Sequence, residues 1–291
     1  MDNPKSGRPP AVARRRTLAA GLAAAAALPA LAAPGLVRAQ QKGGSTWEQI
    51  HSSGTMRMGV FDFPPYYSRG KAAGEWKGAL IDMGQDMAKT LNVKFEPVVI
   101  GGWDEVILSL QANKIDLHLG MQATPQRATA IHFAGPIYWI QWVAINNNDF
   151  HAATWADYNK PSVKVAVMTG SADVVVLKMR APEATPIQLE SLAQIVLAVS
   201  SGRADAFTTT VLASMVAKTK NPGLGDFVTP TPRTALPGYA GLRMDEDVRF
   251  QEFLNRWAEW NNELGYNEAR MRNSLVELGI NEVPPGVSFS Q

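Results

Sequence analysis

The sequence predicts an α/β protein made of two similar units. Strand and helix patterns alternate from Met56 onward, the alternation restarts at Val163, and a ten-residue segment recurs between the halves. That segment is LSLQANKIDL over Leu108–Leu117 and LAVSSGRADA over Leu197–Ala206. In each copy a helix ends at Asn or Gly, a basic residue follows, and Asp opens a strand. Two such units in one chain predict a ligand cleft between them, near the C-terminal ends of their strands.

The elements follow in order. Met56–Asp62 reads as a strand, stopped by Pro64-Pro65. Residues 78–91 read as a helix, because Leu80, Met83, Met87 and Leu91 recur at 3–4 spacing. Val93–Ile100 is β-like. Trp103–Ala112 is helical, with Trp103, Ile107 and Leu110 in register, and Ile115–Gly120 is a strand. Pro136–Asn146 is a long, aromatic-rich extended run. The second series is strand Val163–Thr169, helix Ser171–Met179, short strand Pro186–Leu189, helix Leu192–Ser200, strand Ala204–Thr209 and helix Val211–Lys218. Leu236–Met244 is again extended. Two helices close the chain: Val248–Leu264, with Phe250, Phe253, Leu254, Trp257 and Leu264 on one side, then Asn267–Leu278. Residues 40–45 read as a polar linker and the last residues as a frayed tail.

The N-terminus carries an export signal. Arg14-Arg15-Arg16-Thr17-Leu18 opens an Ala-rich, almost uncharged stretch that ends at Val37-Arg38-Ala39, an A-x-A-like cleavage site. The arginines followed by Leu resemble a twin-arginine signal. Pro29 and Pro34 interrupt the stretch, which argues for a signal peptide over residues 1–39 rather than an anchor. Cleavage after Ala39 removes six basic residues and Asp2, so the net charge of +2 becomes −3. The remaining chain has no Lys/Arg stripe, which argues against nucleic acid and an anionic membrane surface. No later stretch reaches the roughly 20 apolar residues of a span, so no membrane insertion is expected after cleavage. With no cysteine, disulfides, thiolate nucleophiles and Cys-based metal sites are excluded.

Four segments together carry a resemblance. They are Gly59–Tyr66 (GVFDFPPY), Trp103–Ile107 (WDEVI), the stretch from Lys114 through Thr124-Pro125-Gln126-Arg127 to Tyr138, and Val165–Ser171 (VAVMTGS). In their order and spacing they resemble family 3 of the extracellular solute-binding proteins, the polar-amino-acid group, over about residues 55–280. The resemblance implies a two-lobed type II periplasmic-binding-protein clamshell, each lobe a central sheet flanked by helices. Residues 45–144 and 238–291 would form one lobe and 145–237 the other, with hinges near 143–147 and 239–242. It further implies a monomer in the periplasm that delivers a small carboxylate-bearing, amino-acid-like ligand to the permease of an ABC importer, without catalysis and without metal or cofactor.

Site residues follow from the same resemblance. Arg127 stands where the family grips a ligand carboxylate, and a guanidinium fork suits that task. Gly170 and Ser171 open a helix after a strand, where backbone N–H groups attract anions. Phe63, Tyr66 and Trp103 offer aromatic walls, with Trp139 and Trp142 weaker candidates. Gln122 stands where the family often has Ser or Thr. Thr210 falls where amino-acid binders usually carry a carboxylate for the ammonium. Either Asp173 substitutes for it, or the ligand lacks an ordinary α-ammonium.

Other residues point elsewhere. Asp116 and Asp205 read as structural, bonding local backbone at the helix-to-strand turns. The four histidines lack metal-ligand spacing, and no P-loop, dinucleotide fingerprint or nucleophile elbow is present. The alternative function is a periplasmic cyclohexadienyl-dehydratase-like enzyme, which resembles this family and keeps the Arg. It needs a placed acid, and Val211–Met215 supplies none.

Overall fold

The computed structural model describes residues 44–284. The signal peptide read over 1–39, its cleavage site, most of the linker and the end of the tail lie outside the described residues. The elements run α1 (Thr46–Ser53), β1 (Thr55–Val60), β2 (Ser68–Arg69), β3 (Trp76–Lys77), α2 (Ala79–Thr90), β4 (Lys94–Val99), α3 (Trp103–Gln111) and β5 (Leu117–Met121). Then come α4 (Pro125–Ala128), β6 (His132–Asn146), α5 (Trp155–Tyr158), β7 (Lys164–Met168), α6 (Ala172–Arg180), β8 (Thr185–Leu189), α7 (Leu192–Ser200) and β9 (Ala206–Thr210). The chain closes with α8 (Val211–Lys220), β10 (Phe227–Val228), β11 (Thr234–Leu242), α9 (Arg249–Glu263) and α10 (Tyr266–Val276).

The strands lie in the order β4-β1-β5-β11-β6-β9-β7-β8. β1 pairs in parallel with β4 and β5, and β7 pairs in parallel with β8 and β9. Each unit is therefore a β-α-β-α-β series with its first strand in the middle. β11 and β6 stand between the units and pair antiparallel with each other, with β5 and with β9. β5 and β9 are buried along their whole length, as expected of strands covered on both faces.

The recurring segment performs the same task twice. α3 and α7 are followed by Asn113 (φ +54°) and Gly202 (φ +71°), both in the left-handed region. Asp116 then accepts from the backbone N–H of Arg57 at 2.7 Å, and Asp205 from that of Lys164 at 2.7 Å. These bonds are not local to the turns, as the sequence suggested. Each ties the incoming strand to the start of the central strand of its own unit. Asp116 also pairs with the Arg57 guanidinium at 2.6 Å.

Two further differences have simple causes. β6 begins at His132 rather than Pro136, because His132–Ala134 already pair with Leu242–Ala240 of β11. Leu264 is exposed rather than buried. It caps the C-terminus of α9, past the stretch whose Phe250, Leu254 and Trp257 are buried.

Candidate ligand-binding site

The first wall comes from the loop after β1. Phe63 and Tyr67 form an isolated bridge, with Phe63 N–H donating to Tyr67 O at 2.8 Å and Tyr67 N–H to Phe63 O at 3.0 Å. This turn around Pro64-Pro65 stacks the Phe63 and Tyr66 rings at 5.3 Å. The carbonyls of Pro65 and Tyr66 accept the first N–H groups of α2, from Ala79 and Leu80. That close approach requires Gly78 (φ +121°), since a Cβ there would lie 2.4 Å from Pro65 O.

Trp103 opens α3 beyond the end of β4 and meets Phe61 edge-on at 5.0 Å and Phe63 at 6.0 Å. Its indole N–H is buried without a partner. His118, on β5, packs behind this cluster, with Nδ1 2.9 Å from Gly59 O. Burial pushes its imidazole down to about 4, so it is neutral at pH 7.

Arg127 lies in the short helix α4, which Thr124 caps by accepting from Arg127 N–H at 3.3 Å. Its guanidinium donates to Gln122 O at 3.1 Å and to Gly170 O at 2.8 Å. The second bond crosses from the first unit to the second. Burial lowers the affinity of Arg127 for its proton, and Asp104 opposes that effect. Asp104 closes on the same spot: a Cβ on Gly170 (φ +68°) would lie 1.9 Å from its Oδ1.

The second wall comes from α6. Ser171 is its N-cap; its hydroxyl accepts from Asp173 N–H at 3.1 Å and donates to Met168 O at 2.7 Å. The hydroxyl that sequence placed on a ligand is thus already engaged. Asp173 is 4% exposed, and its Oδ1 accepts from the Trp142 indole at 2.8 Å. Burial pushes its carboxyl up to about 6, against hydrogen bonds from Trp142, Thr209 and Ser171. Thr210 ends β9 at the N-cap position of α8, yet its side chain makes no capping bond. The Thr210 and Tyr66 hydroxyls face one another without completing a hydrogen bond, and both are buried.

Phe63, Tyr66, Trp103, Gln122, Ser171, Asp173 and Thr210 line one cavity, with Arg127 and Gly170 joined beside it. The cavity is tight, about 20 Å³, room for one water-sized body. Trp103 separates it from an outer cleft of about 400 Å³ whose walls include Asp62, Asp104, Glu105 and Glu190. The outer cleft is larger, but the inner cavity is lined by Tyr66, Trp103 and Thr210, each with a buried polar atom that has no hydrogen-bond partner. Trp142 lines the inner cavity and Trp139 does not. Tyr138 also lines it and was not anticipated: in a strand buried on both faces, alternation does not say which side meets the cavity. Nor was Asp104, which sequence spacing does not place against Gly170.

A sequence profile of the bacterial extracellular solute-binding proteins, family 3, matches residues 56–259. The chain belongs to this family. Among solved structures, the ancestral amino-acid-binding protein AncCDT-1, a precursor of cyclohexadienyl dehydratase, is 29% identical with a TM-score of 0.68, over 80% of this chain and 99% of that one. An amino acid ABC transporter substrate-binding protein from Streptococcus pneumoniae, bound to L-arginine, is 22% identical with a TM-score of 0.69, over 80% and 98%. A mutant of ArgBP from T. maritima is 23% identical with a TM-score of 0.69, over 79% and 99%. No curated protein matches the chain. The fold is that of the type II periplasmic binding proteins, a central sheet flanked by helices, and the family role is solute binding. Among the described residues no helix is long and apolar enough to cross a membrane, and no group of His, Asp and Glu is placed to hold a metal.

Proposed function

We propose that this family member is an exported, monomeric binding protein that captures a small carboxylate-bearing, amino-acid-like ligand and delivers it to an ABC importer. In this reading Arg127 takes the carboxylate from one lobe (45–144 and 238–291), while Gly170 and Ser171 take it from the other (145–237). Phe63, Tyr66 and Trp103 flank it, and Gln122 reaches in from the end of β5. The observation that carries the reading is the 2.8 Å bond from Arg127 to Gly170 O, a half-buried cation set beside the N-terminus of α6. An amino-acid-sized ligand needs more room than the inner cavity, so capture entails parting of the lobes about β6 and β11 and reclosure. The triple arginine and the Ala-rich leader support export by the twin-arginine route, with cleavage after Ala39 into the periplasm.

A thermal-shift screen of the chain from Gln40 onward, stripped of ligand by refolding, tests this. A carboxylate at about 100 times its Kd adds ~2.7 kcal/mol. Silence from amino acids, their deaminated analogues, betaines and dicarboxylates would sink it. One observation favours a dehydratase instead: Asp173 is a buried carboxyl on the cavity, pushed up to about 6 and so able to donate a proton near neutrality. Aromatic product from prephenate or arogenate would establish that activity.

A further inference from the structure

The two copies of the recurring segment share the same residue at two positions, Asp116 with Asp205 and Leu108 with Leu197. The aspartates are accounted for by the strands they tie together. The leucines are not accounted for inside the chain. Each lies midway along a nine-residue helix, α3 or α7, and each faces solvent, 64% and 66% exposed. Their buried neighbours differ between the copies: Ser109 and Leu110 stand against Ala198 and Val199. A lone exposed leucine is ordinary and carries no message. Here the packed positions differ while the unpacked leucine recurs. A positive charge recurs with it. Lys114 and Arg203 follow the two helices at the same offset, both exposed, with no side-chain hydrogen bond or ion pair among the described residues.

The two helices also stand alike about the outer cleft. Trp103, Asp104 and Glu105 at the start of α3 line it from one unit, and Glu190 and Ser191, just before α7, line it from the other. Each unit thus presents the same leucine and the same charge on a helix that starts at the cleft. We infer that Leu108 with Lys114, and Leu197 with Arg203, are two equivalent contact points for one protein partner built from two copies of the same subunit. Each copy would offer an apolar notch beside a carboxylate. The notch takes the leucine, and the carboxylate complements the unpaired cation. A partner with one seat, or with two unlike faces, gives no reason for the pair to occur twice. Two leucines and two charges make a contact at the small end of the interface range, which lets the chain leave after each encounter. The inference rests on the reading above, in which the partner is the membrane half of an importer. It adds which residues dock and that the two receiving halves are alike.

The chain has no cysteine, so a single one can be introduced as a probe. Leu108→Cys and Leu197→Cys, each labelled with a benzophenone, are irradiated with right-side-out membrane vesicles of the bacterium that makes the protein, with the twenty L-amino acids present. Mass spectrometry then identifies the products. Both positions are expected to cross-link to one and the same membrane polypeptide. Val276→Cys, an exposed apolar position on α10, should give at least five-fold less. Lys114→Glu should cut the product at position 108 at least five-fold, and Arg203→Glu that at position 197, with melting unchanged. Different polypeptides at the two positions, yields no higher than at position 276, or full yield in both charge reversals overturns the inference. If the thermal-shift screen still finds a carboxylate ligand, the binding-protein reading stands without it. If the screen is silent and no product forms, that reading fails and this inference fails with it.

Discussion

Arg127 donates to the carbonyl of Gly170 at 2.8 Å across 43 residues of sequence, and Asp104 lies against the same glycine. The contact joins the loop after β5 in one unit to the loop after β7 in the other. Those loops follow equivalent parallel ladders, β5 on β1 and β7 beside β9.

Arg127→Ala is expected to weaken ligand binding at least ten-fold, since a charge-assisted hydrogen bond contributes ~1.5–3 kcal/mol. Arg127→Lys should recover only part, because an ammonium lacks the planar fork. Titration calorimetry on the best ligand from the screen measures both, and full affinity in the alanine variant would remove Arg127 from the site.

Gly170→Ala should also weaken binding. Its φ of +68° disfavours any side chain, and the new Cβ would run into the Asp104 carboxylate. Because Asp104 is the obstacle, Asp104→Ala in the same molecule is expected to return some affinity. A double-mutant cycle with no coupling would show that the two residues do not meet in the bound form.

Asp173→Asn should stabilise the protein. Folding raises this carboxyl from its ordinary 3.8 to about 6. Between those values the folded chain holds more proton than the unfolded chain, so the contribution of Asp173 to stability falls as pH climbs from about 4 to about 6 and stays low above. Asparagine has no such penalty. The variant should be more stable at pH 7 by on the order of 2 kcal/mol, a rise of several degrees in Tm, with the gain gone at pH 4. Equal melting at pH 7 would mean that the carboxylate is already compensated in place.

The paired aspartates should differ in cost. Asp116→Asn and Asp205→Asn each disturb an acceptor for a strand N–H, but Asp116 also loses the charge that faces Arg57. Denaturant unfolding is expected to show about 1 kcal/mol for Asp205 and about 2–3 kcal/mol for Asp116, because hydrogen bonds to charged groups are the stronger ones. Equal costs would mean that the Arg57 pair contributes little.

Much of this fold was legible because its helices are long enough to show a 3–4 spacing and its strands are bounded by Gly, Pro or Asp. Leu80, Met83 and Met87 marked α2 in this way, and all three are buried. The four-residue helices α4 and α5 and the two-residue strands β2 and β3 are too short for any period to appear. The duplicated Asp was visible, but its partner was not: Arg57 is 59 residues away, and spacing carries no record of that distance. At the cavity, seven of the nine residues named from sequence line one space and Arg127 and Gly170 stand beside it, whereas Tyr138 and Asp104 needed the register of β6 and the approach of the two units to be known.

The placement of β11 bears on how the chain is made. Residues 234–242 cover an edge of β5, a strand finished by residue 121, and an edge of β6 as well. A ribosome that has released the first unit in full has therefore released it with its sheet unfinished, and more than a hundred further residues must emerge before the missing strand exists. The second unit, by contrast, receives its own parallel strands within about fifty residues of one another. The half that begins synthesis first is thus the one that waits, and its completion depends on the half that follows.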